Sequence, residues 1–107
     1  MPFYLIEVGY TSEAWKTKVN RPQDRSKAVA PAIKKAGGKL IGFWYTFGER
    51  DAIVIVEMPN NVNMAALSLA VAAGGAVKSF KTTPLLTVRE GMAAMRKAKT
   101  SGYKPPK

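Results

Sequence analysis

The chain has 107 residues, which is enough for one compact domain and too few for two. It contains no cysteine and no histidine, which excludes disulfides, thiolate or imidazole metal sites and every catalytic pair that needs a histidine base. Seventeen lysine and arginine residues against seven acidic ones give a formal charge of +10, which raises the question of an anionic partner.

The first strand is expected over residues 3–10, where side chains alternate between two faces. One face carries Tyr4, Ile6 and Val8, and the other carries Phe3, Leu5 and Glu7. Glu7 also interrupts the apolar run, so this stretch lacks the pattern of a signal peptide, and no segment approaches the ~20 apolar residues of a membrane span. We therefore expect a soluble, cytoplasmic protein with no membrane partner.

A helical region follows from residue 12 to residue 36. It opens at Thr11 with a hydroxyl at the cap and Glu13 in the first turn. A break is expected near Arg21, because the residue before a proline avoids helical geometry. Pro31 in the second part predicts a kink or a late start, and two glycines from Gly37 predict a left-handed cap.

Residues 40–47 and 52–56 are apolar at nearly every position and are separated only by a four-residue turn. Strands of this composition need cover on both faces of a sheet. In a chain this short the helices can cover one face, so we expect the other face to meet a second copy. Exposing five or six large apolar side chains at roughly 1.5–3 kcal/mol each would leave about 10 kcal/mol of burial unrealised, against an association cost on the order of 4–15 kcal/mol. The alternative is that the last helix folds back over this face.

The second half of the chain repeats the alternation of helix and strand. An Ala-rich helix is expected from residue 62 to about 73, with small side chains that allow a close approach to the sheet. A strand over residues 76–86 follows, and Pro84 within it predicts an edge position or a bulge. Thr87 and Glu90 form a capping box that begins a last helix.

The last helix is expected to end near residue 99, which gives one domain over residues 1–99. Residues 100–107 combine glycine, proline and lysine without an apolar pattern and are expected to be a basic, disordered tail. The full order of elements predicts an α+β fold of the ferredoxin-like split βαβ type. Its four-stranded antiparallel sheet would have the first and third strands in the centre.

The basic residues concentrate in two regions, the first helical region and the C-terminal end. The members are Lys16, Lys18, Arg21, Arg25, Lys27, Lys34, Lys35 and Lys39 in the first and Arg96, Lys97, Lys99, Lys104 and Lys107 in the second. Two interpretations stay open at this point. The charges either form solvated helix faces that favour solubility, or they include a surface that binds an anion.

In the split βαβ topology the end of strand one, the turn after strand two and the start of the first helix lie at one end of the sheet. The candidate ligand-binding residues there are Glu7, Tyr10, Trp44, Arg50 and Asp51. They would supply an apolar wall, carboxylates and a cation, the usual composition of a small-ligand pocket. Four of them also have a structural interpretation: capping of turn or helix-start amides for Asp51, a strand-end position or an ion pair with lysine for Glu7, core packing for Trp44 and solvent exposure for Arg50. We identify no catalytic residue, metal site or cofactor.

Several short motifs occur in an order that resembles the GYD domain family over roughly residues 3–98. They are Tyr4-Leu5, Gly9-Tyr10-Thr11, residues 37–40, residues 45–51, residues 57–60, Ala76-Val77 and residues 87–90. Arg50 stands where this family is expected to have a tyrosine before the aspartate. The resemblance implies a dimeric α/β barrel, a group that includes stress-response and cofactor-independent monooxygenase-like proteins, and it implies no agreed activity.

Three functions are compatible with these observations. The first is a homodimer, or a higher oligomer, that binds a small aromatic or anionic molecule between sheet and helices, with catalysis implied by the resemblance alone. The second is a structural or regulatory dimer without catalysis. The third is a basic module that binds nucleic acid on the sheet, which is disfavoured because residues 51–57 carry no aromatic side chain for base stacking.

Overall fold

The computed structural model describes residues 1–106, over which the chain forms four strands and four helices. The strands β1 to β4 span Phe3–Tyr10, Lys39–Tyr45, Ala52–Glu57 and Val77–Leu85. The helices α1 to α4 span Ser12–Asn20, Arg25–Lys35, Asn61–Ala73 and Val88–Lys99. The strands are antiparallel in the order β2-β3-β1-β4, so β1 and β3 are central and the ferredoxin-like prediction is confirmed.

Local signals in the sequence set the ends of the helices. The Thr11 hydroxyl accepts a hydrogen bond from the Ala14 N–H at 3.1 Å and begins α1. The predicted break is confirmed, because α1 ends at Asn20 and α2 begins at Arg25 with Pro31 inside it. At the other end of the chain, the predicted capping box begins α4.

The strand register divides the side chains between two sides of the sheet, as the alternation along the first strand predicts. The side that α1, α2 and α3 cover is the helix face, and it carries Tyr4, Ile6, Val8, Ala52, Val54 and Val56, all buried. The opposite side is the open face, and it carries Phe3, Leu5, Glu7, Ile53, Ile55 and Glu57, all half-buried. One sheet therefore has a packed side and an uncovered side.

The packed side is completed by residues from α2, α3 and the segment before α3. Ile33 of α2, Met58, and Met64 of α3 are buried with the helix-face residues. The Asn63 side-chain amide of α3 donates to the Ala36 carbonyl at the end of α2, at 2.9 Å. This bond ties the two helices together over the sheet.

Helix α4 extends away from this core. Over residues 1–106 it buries no side chain and makes no extended contact with another helix or strand. The radius of gyration is 17.1 Å, against about 13 Å for a compact chain of this length, and the longest dimension is 57 Å. The alternative that the last helix covers the open face of its own sheet is therefore wrong.

Residues 100–106 form no helix or strand, and Lys107 lies outside the described residues. The disordered tail and the domain boundary at residue 99 stay predictions. No helix within residues 1–106 combines the length and the apolar composition that crossing a bilayer requires.

Candidate functional site

The five candidate residues from the sequence do not converge on one pocket. Glu7 and Trp44 lie in one row across the open face, since each is paired with Ile53 on β3. The Trp44 indole is 53% exposed and lies so close to Gly42 that a Cβ at residue 42 would collide with its ring. Tyr10 belongs to the opposite side of the sheet and is buried.

Arg50 joins Glu7 on the open face. Its Nε lies 3.9 Å from Glu7 Oε2, and its Nη1 donates to the Ser79 hydroxyl of β4 at 3.4 Å. The Glu7 side chain was expected to pair with a lysine in its structural interpretation, and Lys81 does face it across the β1–β4 ladder, but the ion pair is with arginine. The two side chains are 28% and 24% exposed, so the pair is partly shielded from water.

Asp51 holds the turn after β2 against β1. Its Oδ2 accepts the Tyr10 N–H at 2.8 Å, and its own N–H donates to the Val8 carbonyl at 2.9 Å. Its carbonyl accepts the Thr46 N–H at 2.9 Å. A carboxylate that satisfies backbone amides in this way stabilises the turn.

An aromatic cluster surrounds Tyr10 on the helix-face side. The Tyr10 ring meets Trp15 of α1 edge-on at a centroid distance of 5.4 Å, and Trp15 lies 6.2 Å from the Tyr45 ring. Lys18 Nζ lies 4.3 Å from the Tyr10 ring centroid, within cation–π distance. Burial raises the pKa of Tyr10, and the charges of Tyr45 and Asp51 raise it further while Arg25 lowers it.

A cavity of about 350 Å³, here called the chamber, lies between the helix face and helices α2 and α3. Its floor is formed by sheet residues such as Ile6 and Val54, and its walls by Val29 of α2 and Leu67 of α3. Small residues of α3, among them Ala70, do not fill the space above the sheet. The apolar lining makes the chamber a site for an apolar group.

A second cavity of about 340 Å³, here called the vestibule, lies beside the chamber. Lys18, Arg25 and Ala76 line both cavities, and Arg21 and Gln23 line the vestibule. No carboxylate from residues 1–106 lines either space. Burial lowers the pKa of Lys18, and the nearby Arg25 charge lowers it further. The lining that the chamber and the vestibule share is therefore cationic, with no carboxylate from the described residues.

Lys18 and Arg25 are not among the candidate site residues from the sequence, where they belong only to the basic residues of the first helical region. The Ala-rich composition of α3 predicts a close approach to the sheet, and the helix does contact β4. Some of its small side chains, Ala70 among them, also line the chamber. Among the described residues, no group of three or more acidic side chains is placed to hold a metal ion.

Comparison with known proteins places these features in a family. The family model of the GYD domain matches residues 4–95, which is most of the chain. No curated protein matches the sequence. The matched region includes the four-stranded sheet except Phe3, helices α1 to α3 and most of α4. The chain therefore belongs to the GYD domain family.

Proposed function

We propose that this protein is a homodimer that binds a small aromatic or anionic molecule in the chamber between its sheet and helices. The observation that carries the proposal is the chamber itself. Its volume of about 350 Å³ falls within the range of roughly 300–1,000 Å³ that is common for small-molecule sites. Its lining is mostly apolar, with a few polar groups at one end, as such sites require.

The chamber is a cleft partly open to solvent, since Arg25, Ala70, Gly74 and Ala76 of its lining are exposed. A concave apolar cleft of this kind is a common form of small-molecule site. Larger side chains than Ala70 and Gly74 at the chamber wall would remove the space. Their small size supports a chamber that is kept open for a ligand.

The open face supports the homodimer. Leu5, Ile53 and Ile55 from the two central strands retain exposed surface there, and Trp44 of β2 is exposed beside them. Contiguous apolar surface of this kind marks an interaction site. A second copy, meeting this face with its own, would bury it through a symmetric contact. Sedimentation velocity at micromolar protein should then give a dimer, and single chains at every concentration would contradict this part of the proposal.

Ligand binding is tested with N-phenyl-1-naphthylamine, a neutral aromatic probe whose fluorescence rises in apolar sites. We expect Ala70→Phe, which fills the chamber from α3, to weaken binding of the probe by about tenfold or more, because the aromatic body loses its space. Ala65→Phe is the matched control, since Ala65 is an exposed residue of the same helix outside both cavities. It should change the affinity by less than about twofold.

Methyl NMR locates the bound probe on one side of the sheet. Binding in the chamber should shift the methyl signals of Ile33 and Leu67, which line it. Binding on the open face would instead shift Ile53 and Ile55. Shifts confined to the open face, or equal effects of the two phenylalanine substitutions, would contradict a ligand in the chamber.

The second candidate function is a structural or regulatory dimer without catalysis. It is favoured by the way the acidic candidate residues use their charges within the chain: Asp51 caps a turn, and Glu7 pairs with Arg50. Failure of the probe to enter the chamber of a dimeric protein would leave this function as the better account.

A further inference from the structure

We infer that the ligand of the chamber is an amphipathic anion, with an apolar body in the chamber and an anionic head held by Lys18 and Arg25 at the vestibule. The inference rests on the proposed function, and it adds the chemical class of the ligand. Carboxylate, sulfonate and phosphate heads share the required charge.

Polarity is segregated within the chamber. The floor and walls are apolar, as Val29 of α2, Phe43 of β2 and Leu67 of α3 illustrate. The ionisable lining residues among those described are Tyr10, Lys18 and Arg25. Tyr10 and Lys18 are held together by their cation–π contact, and Lys18 and Arg25 continue into the vestibule. A ligand that fits this lining is apolar along most of its length and charged at one end.

The charge at that end is positive, and no carboxylate of residues 1–106 lines either cavity. Among residues 1–106 the one ion pair within 4.0 Å joins Arg50 to Glu7 on the other side of the sheet. Asp24, next to Arg25 in sequence, accepts the Ser26 N–H at 3.0 Å and also bonds to the Ser26 hydroxyl, which caps α2. Lys18 and Arg25 therefore face the same space without a carboxylate between them, and Arg21 adds a third positive charge to the vestibule. An anion placed there would relieve their mutual repulsion.

Other ligand classes match these cavities less well. A neutral apolar molecule would fill the chamber but would leave the half-buried Lys18 ammonium without an anionic partner. A polyanion such as nucleic acid would be attracted to the vestibule but could not place an apolar body in a space of about 350 Å³. One molecule with both properties satisfies both cavities through their shared boundary.

Two fluorescent probes test the inference, because they share an anilinonaphthalene body and differ by one sulfonate. They are 8-anilino-1-naphthalenesulfonate, which is anionic, and N-phenyl-1-naphthylamine, which is neutral. We expect Lys18→Gln and Arg25→Gln each to weaken binding of the anionic probe by about fivefold to tenfold, because each removes a charged partner of the sulfonate. Both variants should leave binding of the neutral probe within about twofold.

Matched controls separate local recognition from general attraction to a basic chain. Lys16→Gln on α1 and Lys27→Gln on α2 remove the same charge from residues that line neither cavity. They should change the affinity for the anionic probe by less than about twofold, since exposed charges are largely screened by salt. An equal loss in the control variants would overturn the inference and assign the binding to the net charge.

Competition by decanoate, decyl phosphate and 1-decanol, which share one alkyl chain, identifies the head group. Either anion is expected to displace the anionic probe at a concentration at least about fivefold lower than the alcohol does, and the stronger anion shows whether the site prefers carboxylate or phosphate. Equal displacement by the alcohol would overturn the inference.

The outcomes also distinguish the inference from the proposed function. If the neutral probe shifts the methyl signals of Ile33 and Leu67 and both glutamine variants bind the anionic probe normally, the chamber binds a ligand but the anion-binding role is wrong. If neither probe shifts those signals, the proposed function fails together with the inference.

Discussion

The two faces of the sheet are built from alternate residues of the same strands, yet they end in different environments. On β3, Val54 and Val56 are 5% and 0% exposed under the helices, whereas Ile53 and Ile55 retain exposed surface on the other side. The helix face is covered but incompletely filled, because small residues of α3 leave the chamber. The open face has no cover, and its side chains are half-buried or exposed. The space on the first side suits a small molecule, and the surface on the second suits a protein.

Charge follows the same division. On the open face Glu7 and Arg50 neutralise each other, so a partner that covers them would bury a matched pair. On the helix face Lys18 and Arg25 stand at the chamber mouth without a carboxylate from the described residues. Lys18 is half-buried there, and an anion from solution can pair with both cations. The two faces are therefore expected to respond to different substitutions.

The largest expected effect comes from placing a charge in the centre of the open face. Ile55→Asp puts a carboxylate into the surface where we propose that two copies meet. Since each subunit would bury an unpaired acid, the dimer dissociation constant should rise at least about 100-fold, equivalent to roughly 3 kcal/mol. Sedimentation equilibrium of the variant measures this constant directly.

The control for this experiment is Val62→Asp. Val62 is an exposed apolar residue near the start of α3, where an acid suits the helix dipole. It should leave the dimer constant unchanged. If Ile55→Asp dimerises as tightly as the control, the open face does not form the dimer contact.

A smaller effect is expected from substitutions of Asp51, which joins the turn after β2 to β1. Asp51→Ala removes the carboxylate that accepts the Tyr10 N–H. The free energy of unfolding should fall by about 1.5–3 kcal/mol, the usual range for a hydrogen bond to a charged group. Asp51→Asn keeps an oxygen acceptor and should lose less than about half of that. Urea denaturation of both variants measures the loss of stability, and probe binding is measured separately on the folded proteins. If Asp51→Asn is as stable as the unmodified protein but binds the probe more weakly, Asp51 has a role in binding and the structural role is contradicted.

The fold was predictable because its signals are local and agree with one another. Thr11, Asp24, Asn60 and Thr87 each cap a helix through side-chain bonds to nearby amides, so a short stretch of sequence sets each start. The apolar composition of residues 52–56 places that strand in the centre of the sheet, as found. Helix caps depend on residues close together in the sequence, and a buried strand shows as an apolar run. Both signals can be found in a single sequence.

The site was only partly predictable, because it depends on which way a side chain points. Glu7 and Tyr10 are three residues apart on β1 and lie on opposite sides of the sheet, so nearness in topology did not bring them together. The bulge between Gly9 and Tyr10 also shifts the register at that end. The chamber results from the sizes of side chains on separate elements, such as Ala70 and Val29. A short sequence motif does not show how these sizes combine in space.

A glycine of the open face provides a finer test of the proposed dimer. Gly42→Ala would displace the Trp44 indole, because the new Cβ would collide with its ring. A shifted tryptophan at the contact should weaken the dimer by about tenfold, or 1.4 kcal/mol, while the fold of the single chain is retained. Gly48→Ala, at a position with no atom within 4 Å of the new Cβ, is the control. Unchanged dimerisation together with altered Trp44 fluorescence in a Trp15→Phe background would place Trp44 outside the contact.

The smallest expected effect is a change in the titration of Lys18, and its sign separates the two probes. In the free protein, burial and then the Arg25 charge lower the pKa of Lys18. An anion bound beside the ammonium favours the charged form, so 8-anilino-1-naphthalenesulfonate should raise this pKa toward its ordinary value. The neutral probe removes water without adding charge and should leave the pKa unchanged or lower it further. NMR titration of the Lys18 side chain measures both shifts, with Tyr10 and Arg25 as the other ionisable groups that line the chamber. The affinity of the anionic probe should correspondingly fall as the pH rises through the pKa of Lys18, because the neutral amine no longer attracts the sulfonate. Equal shifts with both probes would place the sulfonate away from Lys18.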